Sequence, residues 1–175
     1  VVLTICADYR RTTAWANHRK AHPGYDNILS FMNAATDALL FTQTFTVLAE
    51  AAGLGTCFLG TTVYMPQMII DTLHLPQLVM PVATLTVGWP DEKPAQTDRL
   101  PLRSIVHSET FDDYTPEKID DFYAEKEALE ENKEFVRTNQ VETLAQVFTD
   151  IRYTKKDCEA MSTGFMEALR KQGFI

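Results

Sequence analysis

The chain is short of cysteine, of glycine, of basic charge and of long apolar runs, and each shortage removes a class of protein. Its three cysteines, Cys6, Cys57 and Cys158, lie far apart in 175 residues and are odd in number. No paired spacing suggests a disulfide framework, and reduced thiols in a cytoplasm fit them best. The longest apolar stretch, Ile28 to Leu48, is interrupted by Asn33, Thr36, Asp37 and Gln43, whereas a membrane span needs about 20 consecutive apolar residues. With 16 Lys and Arg against 24 Asp and Glu, the net charge is −8. Such a field repels a phosphate backbone and argues against nucleic acid as a partner. The sequence has no His-Glu-x-x-His arrangement, no Gly-x-Ser-x-Gly elbow and no Walker-type Gly-Lys-Ser/Thr run. Metalloprotease, triad-hydrolase and nucleoside-triphosphate chemistry therefore lack their residues. His18 and His22 could share a helix face, but they read as two solvated imidazoles rather than the grip of a metal site.

What is present suffices for one core: 45% of residues are hydrophobic and 10% aromatic, which predicts a single domain over residues 1–175. The chain opens on Val1-Val2-Leu3-Thr4-Ile5-Cys6-Ala7, with neither an initiator Met nor the basic region of a signal peptide. This reads as a core strand, and upstream residues are expected. Asp8 to Asp26 reads as an irregular or partly helical connection. A long helix is predicted from Ile28 to Ala52, stopped by Gly53, with apolar residues nearly encircling it and hence burial on most sides. Thr56 to Gly60 reads as a short strand, Pro66 opens a helix over Gln67 to Leu73, and Leu78 to Trp89 is a strand whose Pro81 must sit where no ladder donor is needed. Pro90 to Pro101 is a polar loop, and Ile105-Val106-His107 is expected to form another short strand. Glu117 to Arg137 reads as one charged helix with Phe122, Leu129 and Val136 spaced by seven, a stripe that suits docking on its own domain or an arm laid on a partner. Thr154 and Asp157 form a capping-box start, and Gly173 closes a last helix whose inner face would use Met161, Phe165 and Leu169.

Two places carry possible chemistry. Gly53-x-Gly55 followed by Gly60 has glycines in a loose likeness of a dinucleotide fingerprint, but here a helix leads into a strand, the reverse of what that motif requires. By spacing alone it is a helix stop and a tight turn. Arg99, in Thr97-Asp98-Arg99-Leu100-Pro101, presents a planar fork between prolines, suited to a phosphate or carbonyl and equally to a salt bridge with Asp98 or Asp91.

The run Ala49-Glu50-Ala51-Ala52-Gly53-Leu54-Gly55-Thr56-Cys57-Phe58-Leu59-Gly60 resembles proteins of the nitroreductase family. Leu75-Pro76-Gln77, Val87-Gly88-Trp89-Pro90, Arg99-Leu100-Pro101-Leu102, Val106-His107 and Gln172-Gly173-Phe174 are similar, in order, to its oxygen-insensitive NADPH nitroreductase and flavin reductase branch. The resemblance implies an α+β fold with a central, mostly antiparallel sheet flanked by helices, in an interlocked homodimer that binds FMN at the subunit interface. Residues 116–175 would then form a C-terminal helical extension packing on the partner subunit. The implied activity is transfer of hydride or electrons from NADPH or NADH through FMN to a nitroaromatic, a quinone or a second flavin, with no catalytic side chain and no metal. Phe58, Leu59, Gly60 and Thr61 would lie against the isoalloxazine. Thr97 and Arg99 would sit at the FMN phosphate, in a loop that the branch usually writes Lys-Pro-Arg, so one cation is replaced by Thr97. Lys133 or Arg137 would take the extra phosphate of NADPH. The family's N-terminal Arg-Ser-x-Arg segment is not in this sequence, which marks either a fragment or a truncated relative. Two other readings follow: a non-enzymatic dimeric remnant with an incomplete flavin site, and a flavin enzyme of the superfamily's flavin-destroying or dehalogenating kind.

Overall fold

The β-branched run at the start of the chain forms strand β1 (Val2–Asp8), the first element of a computed structural model that describes residues 1–175. Its contacts gather into two compact units, Val1–Lys93 together with Glu159–Ile175, and Pro94–Cys158. In the first unit β1 is followed by α1 (Arg10–His18), α2 (Ile28–Ala51), β2 (Gly55–Leu59), α3 (Pro66–Leu73) and β3 (Val79–Gly88). The sheet runs β1-β3-β2 and is antiparallel throughout. β3 is central because its residues bury almost continuously from Val79 to Leu85. Pro81 stands opposite Cys6, where the register slips between Ile5 and Cys6; at this bulge its missing N–H costs no ladder bond.

α2 starts on Asn27, whose side chain accepts from the Ser30 N–H at 2.9 Å, and ends where Gly53 takes φ +85°. The Gly53 N–H donates to the Glu50 carbonyl at 2.9 Å and the Leu54 N–H to the Ala49 carbonyl at 3.0 Å, the paired bonds that close a helix through a left-handed residue. The helix is not buried on most sides. Its inward residues are Ser30, Phe31, Ala35, Thr42, Thr46 and Ala49, small or polar except for one ring. The Thr42 and Thr46 hydroxyls need no outside partner, since they donate to the Ala38 and Thr42 carbonyls at 2.7 and 2.9 Å. Leu40, Phe41 and Leu48 face outward at 63%, 67% and 65% exposure.

The core gathers Ala7, Phe31, Ala35, Ile70, Met80, Ala168, Leu169 and Phe174. The last three come from α7 (Lys155–Lys171) and the turn after it, where Gly173 at φ +77° lets the Phe174 N–H reach the Leu169 carbonyl at 3.0 Å. The Phe31 ring lies 5.4 Å from that of Phe174 and 5.9 Å from that of Phe165. This end of the segment predicted to pack on a partner thus contributes to the core of the first unit itself.

The second unit starts with an irregular stretch through Pro101 and a 3₁₀ turn (Leu102–Ser104). Here Ile105 to His107 does not form a strand: the Val106 N–H donates to the Leu102 carbonyl at 2.9 Å, and both Ile105 and Val106 are exposed. The charged segment is two helices rather than one, α4 (Pro116–Ala128) and α5 (Glu130–Asn139), separated by Leu129 in an extended conformation at ψ 134°. The buried Asn132 amide donates to the Lys126 carbonyl at 2.7 Å and so closes the end of α4. Glu130 and Glu131 occupy the first turn of α5, where the helix dipole favours them. A short α6 (Leu144–Gln146) runs into a π-helical turn (Val147–Arg152). No helix of the chain is long and apolar enough to cross a membrane.

Candidate functional site

β2 is an edge strand, so one row of its backbone donors and acceptors faces away from the sheet. Three contacts fix it. The Thr56 hydroxyl donates to the Glu50 carboxylate at 2.5 Å, tying the strand to the end of α2. The Thr86 hydroxyl donates to the Cys57 carbonyl at 3.3 Å. Past the strand, the Thr62 hydroxyl donates to the Leu59 carbonyl at 3.1 Å and shares a 2.9 Å hydrogen bond with the Thr84 hydroxyl, both residues being buried. These bonds hold Phe58, Leu59, Gly60 and Thr61 together as one short ledge. Phe58 and Leu59 are 43% and 41% exposed at the end of this edge strand. A Cβ placed on Gly60 would meet nothing within 4 Å. Gly55 is confined instead, with the Pro90 Cβ 3.2 Å from where its own would stand.

Thr97 and Arg99 belong to the second unit and adjoin each other. Nη1 of Arg99 donates to the Thr97 hydroxyl, the Thr97 carbonyl and the Asp98 carbonyl at 2.5, 3.2 and 2.8 Å, which leaves the Nε and Nη2 donors of the fork unused. Asp98 does not pair with Arg99. Its Oδ2 accepts from Lys126 Nζ at 2.7 Å, and that bond, with the lysine's charge, holds the Asp98 carboxyl below its ordinary range.

Lys133 and Arg137 are one turn apart on α5 and line a cavity of about 370 Å³ in the second unit with Glu127, Val136, Glu142, Thr143 and Leu144. Both cations are already engaged. Arg137 donates to Glu134 at 2.7 and 2.9 Å and to Glu130 at 2.9 Å, and Lys133 lies 3.7 Å from Glu130. The same contacts hold Glu130 and Glu134 below the usual carboxylate range and push the Arg137 guanidinium up.

Sequence reasoning missed two features. One is the Lys126–Asp98 pair, which spans 28 residues and leaves no local spacing to detect. The other is a cavity of about 720 Å³ between β1, α1 and α2, bordered by Asp8, Arg11, Tyr25, Asp37 and Phe41 among others. Burial, and then the charge of Asp8, push the thiol of Cys6 on its wall above the ordinary value. No cluster of His, Cys, Asp or Glu is arranged to hold a metal ion.

No family model matches the chain. Among solved structures it is similar to a Bacteroides fragilis NCTC 9343 protein classed provisionally as an oxidoreductase, at 60% identity and a TM-score of 0.97, over 99% of this chain and 71% of that one. It is also similar to the NfrA1 nitroreductase of B. subtilis, at 26% identity and a TM-score of 0.78, over 99% of this chain and 69% of the other. Among curated proteins it is similar to the FMN reductase [NAD(P)H] of Bacillus subtilis (strain 168), 34% identical over 113 residues, which is 63% of this chain and 45% of the relative. The chain spans about half the length of the curated relatives it matches.

Proposed function

The chain belongs to the nitroreductase family, and from that premise we propose that it is an FMN-dependent NAD(P)H oxidoreductase that reduces nitroaromatics, quinones or flavins. The observation that carries the reading is the ledge at the end of β2: two half-exposed apolar side chains and an unobstructed glycine on a sheet edge, a surface suited to the face of a planar ring. Phe58 and Leu59 would pack on that ring, and Gly60 would admit it closely. Thr61 and the unpaired backbone groups of the edge would offer hydrogen bonds where negative charge develops on reduction.

The donor set of the second unit fits a phosphate. Arg99 keeps two faces of its fork free, and a guanidinium binds a dianion with paired, charge-assisted bonds; Thr97 offers a hydroxyl in place of a second cation. The chemistry supplied by bound FMN is acceptance of hydride from a nicotinamide and delivery of electrons to an acceptor, so binding and orientation are the work left to this chain. Lys133 and Arg137 are the proposed contacts to the extra phosphate of NADPH, which would have to displace the carboxylates of Glu130 and Glu134.

A homodimer is part of the proposal, supported by the outward Leu40, Phe41 and Leu48 of α2, an exposed apolar face of the kind that marks an interaction surface. A cytoplasmic setting is supported by three free thiols. The test is oxidation of NADPH or NADH coupled to a nitroaromatic and to a quinone, with and without added FMN. The expected result is turnover that requires FMN; no turnover of either acceptor with the flavin loaded would remove the oxidoreductase reading and favour a non-enzymatic dimer.

A further inference from the structure

The loop that carries Arg99 contains a carboxylate where an anion is to bind. Asp98 directly precedes Arg99, and an unpaired aspartate beside a phosphate would both repel it and compete for the guanidinium. The fold answers this from α4. Lys126 Nζ meets Asp98 Oδ2 at 2.7 Å with side-chain exposures of 28% and 27%, whereas the Arg103–Asp121 pair of the same unit stands at 60% on both sides. A pair enclosed in this way is screened less by solvent and salt than an exposed pair. Its backbone is fixed as well. The Lys126 carbonyl accepts from the buried Asn132 amide at 2.7 Å and from the Leu129 N–H at 3.3 Å, so the lysine projects from a closed helix end.

Resting on the reading of Arg99 as the FMN-phosphate contact, we infer that Lys126 is the positioning residue of this loop: it binds and neutralises Asp98, and so leaves Arg99 free to meet the phosphate. With it, the loop carries Arg99 and Lys126 against Asp98, a net positive charge; without it, Asp98 cancels Arg99 and the loop is neutral. The depression of the Asp98 carboxyl has the same origin, with the Lys126 hydrogen bond as its largest cause and the charge of Arg99 as its smallest. Removing the lysine therefore leaves Arg99 as the carboxylate's next available cation.

The test is FMN binding, followed by quenching of flavin fluorescence at low ionic strength, for the unaltered chain and for Lys126→Met, Lys126→Arg, Asp98→Asn, the Lys126→Met/Asp98→Asn double variant and Arg99→Ala. Thermal melting of each reports folding separately. Lys126→Met is expected to weaken FMN binding by about tenfold, a size set by one partly enclosed charge pair, and Lys126→Arg to bind as the unaltered chain does. Asp98→Asn alone costs no affinity, and the double variant regains most of what Lys126→Met loses, because no carboxylate is left to neutralise. Equal FMN affinity in Lys126→Met and the unaltered chain would overturn the inference, and so would a double variant as weak as Lys126→Met. If Lys126→Met does not fold, Asp98→Asn decides: affinity held or raised supports the inference, and affinity lost overturns it. If Arg99→Ala binds FMN unchanged, the phosphate reading of the loop itself falls, and the inference with it.

Discussion

Gly60 is the residue at which the proposed flavin contact and the stability of the protein separate most cleanly. Nothing within 4 Å would meet a Cβ there, so Gly60→Val is expected to leave the melting temperature nearly unchanged while lowering FMN affinity at least severalfold. A Gly60→Val protein that binds FMN like the unaltered chain would show that the ring lies elsewhere. Thr62 behaves oppositely. Removing its hydroxyl leaves the buried Thr84 hydroxyl without its partner, and Thr62→Val is expected to cost about 1–3 kcal/mol of stability, the usual penalty for an orphaned buried polar group; urea unfolding measures it, and an unchanged midpoint would contradict the role given to this bond. At this scale the sequence was legible only in part. Gly53 and Gly173 announced their helix stops because a left-handed residue there follows from local geometry. Phe58 and Leu59 became site candidates only through the family resemblance, since spacing made them an ordinary strand end. Asp98 reads from sequence as a partner for Arg99, and its pairing with Lys126 has no local signature because the fold makes it across 28 residues.

α2 shows why an element can be placed correctly and its environment misjudged. Its limits follow from Asn27 and Gly53, whereas burial on most sides was expected from an apolar composition that nearly encircles the helix. The residues turned inward are Ser, Thr and Ala with one Phe, and Thr42 and Thr46 can face inward because they satisfy their hydroxyls within the helix. The outward Leu40, Phe41 and Leu48 are left for a second surface. Replacing Phe41 and Leu48 together by Glu is expected to shift sedimentation from dimer to monomer with little loss of monomer fold, since neither side chain is in the core. A double variant that stays dimeric would place the interface elsewhere. The break between α4 and α5 was invisible for a related reason: Leu129 is neither Gly nor Pro, and the extended turn is stabilised by the Asn132 amide on the Lys126 carbonyl, a bond no period reveals. Ile105 and Val106 have a strand's composition but are taken up in the turn that the Val106 N–H closes on the Leu102 carbonyl.

For the whole molecule, charge sets the response to acid. Asp98, Asp112, Glu117, Glu130 and Glu134 are all held below their ordinary values, four of them chiefly by hydrogen bonds from Lys or Arg side chains and Glu117 by a backbone hydrogen bond. A carboxyl whose value is lowered in the folded state stabilises that state fully above its unfolded value and ceases to do so as pH falls through the folded one. Melting temperature should therefore hold down to about pH 4 and decline below it, modestly, because exposed pairs contribute little each; a melting temperature that rises on acidification below that point would contradict the assignment. FMN binding and electron transfer from a nicotinamide through it are measured together by anaerobic spectroscopy of the purified chain with FMN. The expected result is a yellow protein that retains micromolar FMN through gel filtration and loses its flavin absorbance when NADPH or NADH is added. A chain that takes up no FMN at micromolar concentration, or a bound flavin that neither nicotinamide bleaches, would contradict it.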